Sequence, residues 1–123
     1  MNFNCKYDII GFSTDLGLSI KEISELYYEL INELNLALLE LKTLVDGQDY
    51  TKIQKIIHNI KGVSGNYRIN DIYNETTRIN DLLSSNDYST LKKDLTNLFA
   101  ICIDAQNEIR FFFEQALKIK LLI

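Results

Sequence analysis

Proline is absent from this 123-residue chain and glycine occurs only five times, so few residues interrupt long helices. No apolar run approaches the ~20 residues that cross a bilayer as a helix, which argues against a spanning segment. Two cysteines are too few for a disulfide framework, and Cys5 and Cys102 have no metal-ligand spacing. Cys102 falls in an apolar stripe and reads as packing, whereas Cys5 reads as an exposed thiol near a loose end. Neither a GxxxxGK[ST] loop nor a GxGxxG loop is present, and His58 is the only histidine, so nucleotide chemistry and a histidine metal centre both lack support. Positive charge is in deficit. Thirteen lysines and arginines against 17 carboxylates give a net charge of −4, which disfavours nucleic acid and anionic membranes as partners. The opening residues 1–10 contain no basic region followed by an apolar stretch and a small-residue cleavage site, so a cytoplasmic location is expected.

The 46% of apolar and 24% of charged residues suit one globular domain over residues 1–123. Its pattern is helical throughout. Ser19 followed by Glu22 has the form of a capping box, and Ile20, Ile23, Tyr27, Leu30, Leu34, Leu38, Leu41 and Val45 follow at three- and four-residue steps. They predict a helix of about 26 residues that ends at Asp46 and Gly47. Asp49 or a neighbour can cap a second helix carrying Ile53, Ile56, Ile57, Ile60, Val63 and Tyr67. Asn70 can cap a third, with Ile72, Thr76, Ile79 and Leu83, ending near residues 84–87. The last helix starts near Ser89 and repeats Leu91, Leu95, Leu98, Cys102, Ala105, Ile109, Phe112, Ala116 and Ile119 over about 30 residues. Short turns and four apolar faces predict an all-α, up-and-down antiparallel four-helix bundle over about residues 19–121. A short helix over residues 7–16 is expected to cover one end, with Ile9, Ile10, Phe12 and Leu16 as contacts.

The second long helix holds the informative pattern. At about 100° per residue its apolar positions centre almost opposite His58, which therefore faces solvent. Thr51, Gln54, Lys61, Gly62 and Gly65 fall on the histidine's side. Each helical glycine costs about 1 kcal/mol relative to alanine, a cost consistent with making room for a partner's backbone beside the imidazole. Lys52, Lys55, Lys61 and Arg68 give residues 51–68 four positive charges and no carboxylate, leaving −8 on the rest of the chain. Such a local patch suits an anionic ligand or an acidic docking face. An exposed imidazole ordinarily ionises near pH 6.5, so at neutral pH one ring nitrogen keeps a lone pair able to attack phosphorus. Lys61, one turn on, can offset the charge of a phosphoryl group held there.

Residues His58-Asn59-Ile60-Lys61-Gly62-Val63-Ser64-Gly65-Asn66 resemble the signature of histidine-containing phosphotransfer (HPt) domains, in which lysine and glycine stand three and four positions after the histidine. The helix order extends the resemblance over about residues 8–118. It implies a stoichiometric phosphocarrier without autonomous kinase activity, taking a phosphoryl group on His58 from a receiver-domain phosphoaspartate and passing it to another receiver. Response-regulator receivers, and a hybrid histidine kinase, are the implied partners. No cofactor or metal is implied on this chain, and Mg2+ is expected in the receiver. Lys61 becomes the electrostatic helper, Gln54 a positioning group for the imidazole, and Lys55, Gly62, Gly65 and Arg68 the docking surface. The family often has glycine and alanine ten and eleven residues after the histidine, where Arg68 and Ile69 stand, and a smaller residue than Ile57 before it. The competing readings are a non-catalytic adaptor that binds a receiver or kinase and a helical dimerisation module. Phe111 to Phe113 and the apolar residues 117–123 supply surface for a dimer, although a monomer is favoured.

Overall fold

Ser19 initiates the first long helix through the reciprocal bonds its sequence predicts: its hydroxyl accepts from the Glu22 amide and its own amide donates to the Glu22 carboxylate, both at 3.1 Å. The computed structural model describes residues 5–122, with side chains as far as residue 118, and all regular structure among them is helical. In chain order the elements are α1 (Ile9–Leu16), α2 (Ile20–Asp46), α3 (Tyr50–Asn66), α4 (Asn70–Ser84) and α5 (Leu91–Leu122). Asp49 caps α3 by accepting from the Lys52 amide at 3.3 Å. The start of α4 differs from the sequence expectation. Ile69, not Asn70, is the cap, and no side chain bonds there. Ile69 is fully buried and its amide donates to the Ser64 carbonyl at 2.9 Å, so packing rather than a polar cap fixes this boundary.

Each long helix packs against two others: α2 against α3 and α5, and α4 against α3 and α5. Their shared interior is mostly aliphatic, with Ile23, Leu30, Leu41, Ile53, Ile57, Ile72, Ile79, Leu98 and Ile109 at most 2% exposed, and Tyr27 and Phe113 are its largest fully buried side chains. Burying one such side chain contributes roughly 1.5–3 kcal/mol. Cys102 is buried as its stripe predicts, and desolvation pushes its thiol up to about 12. Leu38 and Val45, on the predicted stripe of α2, are only half-buried. No described helix is long and apolar enough to cross a membrane.

Helix α1 packs on α2 with Ile9 and Phe12, but Ile10 and Leu16 are about half exposed, so two of its four expected contacts point away. Residues 5–7, just before it, are not loose. Cys5 is half-buried against the core, Tyr7 is buried with its hydroxyl donating to Asp71 at 3.0 Å, and the Lys6 amide donates to Glu108 at 2.9 Å. The apolar residues 119–123 fall beyond the described side chains, whereas Phe111 is 60% exposed beside the buried Phe112 and Phe113.

Between α4 and α5, buried Asp94 accepts from Arg78 at 2.8 Å and from Thr90 at 2.7 Å. Burial opposes ionisation of Asp94, but the bonds from Arg78 and Thr90 outweigh it and hold the carboxyl below its ordinary 3.8. A carboxyl depressed on folding stabilises the native state above its unfolded value and loses that contribution as pH falls through the folded one. Urea unfolding should therefore find Asp94→Asn less stable than wild type at neutral pH, with the gap narrowing below pH 3.8. A gap independent of pH would contradict the ionic role of Asp94.

Candidate functional site

Five side chains, Ile53, Ile56, Ile57, Ile60 and Ser64, turn one face of α3 into the interior. His58 lies on the opposite face and is exposed. It has no hydrogen bond or ion pair to any described residue. Toward α2 its neighbours on the helix surface are Lys55, Asn59 and Gly62, all exposed, and toward α4 they are Gln54, Lys61 and Gly65.

The two glycines differ in what surrounds them. A Cβ on Gly62 would meet nothing within 4 Å, so the gap there opens to solvent. A Cβ on Gly65 would stand 3.0 Å from Cδ2 of Tyr73, so that gap is filled from within the chain by the ring on α4. Gln54 stands on the expected side, but its amide donates to the Ser84 hydroxyl at 2.9 Å rather than to the imidazole. Together Gln54 with Ser84 and Gly65 with Tyr73 show that α3 and α4 run antiparallel, with the early part of one beside the late part of the other.

Of the four positive charges in this segment, two are matched locally. Lys52 pairs with Asp49 at 3.8 Å. Arg68 pairs with Asp8 at 3.0 Å and also with Asp15, and its guanidinium lies 5.4 Å from the Phe12 ring centroid. The hydrogen bond that Arg68 donates to Asp15 leads the causes that raise its pKa above the usual value. Arg68 thus holds α1 against the α3–α4 turn, although the resemblance places it on a docking surface. Its φ of 61° is left-handed, a conformation that glycine adopts without strain and arginine does not. Lys55 and Lys61 form no ion pair with a described residue, and the Lys61 ammonium lies 6.0 Å from the Tyr73 ring centroid.

Beside this face, α2 and α3 enclose an open groove of about 300 Å³. Leu30, Leu36, Ala37, Ile56 and Val63 line it, and Glu33, Glu40 and Asn59 border it. Leu36 is 69% exposed. Apolar periodicity marks Leu30, Ile56 and Val63 but not Leu36 and Ala37, which lie off the predicted stripe of α2. It also misses the stacking of Tyr50 on Tyr88, at 3.7 Å between centroids, where α3 begins. Among the described residues no three His, Cys, Asp or Glu side chains are grouped as metal ligands.

Comparison with protein-family models, with curated proteins and with solved structures finds no match for this chain.

Because Arg68 joins α1 to the turn, Arg68→Gly should relieve the left-handed backbone while removing the clamp. Amide exchange should quicken in residues 9–16 and stay slow in the inward positions of α3. Unchanged exchange in α1 would show that Ile9 and Phe12 hold it without the ion pairs.

Proposed function

We propose that this chain is a histidine phosphocarrier of a multistep phosphorelay, its four long helices forming an up-and-down bundle that presents His58 to receiver domains. The observation that carries the reading is an exposed imidazole, unbonded to any described residue, on a helix whose other face is buried, flanked by the open Gly62 and by two lysines that no described carboxylate neutralises. A structural histidine would ordinarily be tied to a partner or enclosed.

In the proposed transfer a neutral ring nitrogen of His58 attacks the phosphorus of a receiver's aspartyl phosphate in line with the leaving oxygen. The P–N bond forms, the P–O bond to the aspartate breaks, and the carboxylate departs with the electron pair. Reversal onto a second receiver completes the relay. Lys61 offsets charge on the phosphoryl oxygens, and docking supplies the alignment. The resemblance assigns the divalent metal, Mg2+, to the receiver, so this chain contributes the nucleophile, the positive flank and the platform. Receivers dock over Lys55 and Gly62 and against the apolar groove of α2 and α3, whose bordering Glu33 and Glu40 favour a partner with basic residues there. An adaptor that only binds receivers would use the same surface without the chemistry, and it is the alternative that phosphotransfer excludes.

Incubating the protein with a phosphorylated receiver should transfer label to wild type and none to His58→Gln, with both proteins equally helical by circular dichroism. Label on the variant would reject His58 as carrier. Gly62→Leu fills an open gap without touching the core, so it should weaken receiver binding at least tenfold, about 1.4 kcal/mol, while raising the melting temperature by a few degrees because a helical glycine is lost. Unaltered affinity in a titration would remove the clearance argument.

A further inference from the structure

Two contacts converge on Tyr73, in the first turn of α4. Its ring packs on the bare Cα of Gly65, where a Cβ would come within 3.0 Å of Cδ2 and 3.2 Å of Cε2. Carbon atoms pack at about 3.5–4.0 Å, so a Cβ at this position would push the ring outward by a few tenths of an ångström. The second contact is the Lys61 ammonium, 6.0 Å from the ring centroid and within reach of a cation–π attraction. Backbone bonds fix the base of the tyrosine: its amide donates to the Ile69 carbonyl at 3.0 Å, and its carbonyl accepts the Thr77 hydroxyl at 2.7 Å. The buried Ile69 anchors the α3–α4 turn and with it the backbone of Tyr73, while the tyrosine itself is 39% exposed and its ring rests on Gly65.

A lysine with four rotatable bonds spreads over many conformers unless something orders it. A carboxylate would order it and cancel its charge. An aromatic face orders it through its quadrupole and leaves the charge intact. Lys61 has the second kind of partner, and none of the ion pairs among described residues involves it.

We infer that Tyr73 is a positioning residue for Lys61, seated by Gly65, which keeps the ammonium ordered and unneutralised one turn from His58. The inference rests on the phosphocarrier reading, because the charge it preserves is the one that would meet the phosphoryl oxygens. It gives Gly65 a role distinct from that of Gly62: one glycine admits a ring of the same chain, the other leaves room outside.

Phosphoramidate, a small-molecule donor, isolates this effect from receiver docking. A His58 ring nitrogen attacks its phosphorus, the P–N bond to the donor nitrogen breaks, and ammonia leaves, taking up the proton shed by the ring. Initial labelling rates should match between wild type and Tyr73→Phe, which keeps the ring. Tyr73→Leu should be slower by about two- to fivefold, as expected for an exposed cation–π contact. In the Lys61→Ala background, adding Tyr73→Leu should cause no further loss, since the tyrosine acts through the lysine. In parallel, NMR should show ring-current shifts of the Lys61 ε-methylene protons in wild type and Tyr73→Phe that vanish in Tyr73→Leu. Equal labelling of wild type and Tyr73→Leu, an additional loss in the Lys61→Ala background, or unshifted Lys61 protons in wild type would each overturn the assignment while leaving the carrier intact. Failure of wild type to take label would instead overturn the carrier reading, and this assignment with it.

Discussion

Burial of the isoleucine face of α3 fixes the roll of that helix and therefore the direction in which His58 points. Ile53 and Ile57 are fully buried and Ile60 is 3% exposed. Turning α3 far enough to cover the imidazole would bring these side chains to water at roughly 1.5–3 kcal/mol each. Three such losses rival the whole stability of a small domain, about 5–15 kcal/mol. The exposure of His58 is thus a consequence of packing on the far side of the helix, and no local bond is required to maintain it.

The same packing explains what could be read from the sequence. Periodicity reports burial directly, so the four long helices and the outward histidine were legible from apolar spacing alone. Caps were legible where a side chain makes them, at Ser19 and Asp49, and misleading where packing does, at Ile69. Contacts between elements left no such trace. Nothing in the spacing says that Gln54 reaches Ser84, that Gly65 receives the Tyr73 ring, or that Arg68 meets acids 53 and 60 residues earlier. Ile10 and Leu16 show the converse error: both are apolar, and neither is covered, because a two-turn helix lying on one neighbour has only one face to bury.

Charge is redistributed by the fold in a way that sharpens the candidate site. Among the described residues four cations in sequence become two in space, since Lys52 and Arg68 are matched by carboxylates and Lys55 and Lys61 are not. Arg68 occupies a left-handed backbone position where the resemblance commonly has glycine, and the strain of roughly 1–2 kcal/mol is offset by its contacts to Asp8, Asp15 and Phe12. The difference from the resembled signature at this position therefore has an internal explanation in the docking of α1.

The strap formed by Lys6 and Tyr7 joins the beginning of the chain to Asp71 and Glu108, and the bond from Lys6 to Glu108 spans 102 residues. Closing a loop of that length carries an entropy penalty that grows with the logarithm of separation, about 4 kcal/mol on a simple Gaussian chain. The clasp between Gly65 and Tyr73 spans only eight residues and forfeits far less. The platform bearing the imidazole is accordingly among the most local parts of the topology, while the end of the molecule sealed by the strap depends on the rest of the polypeptide having already come together.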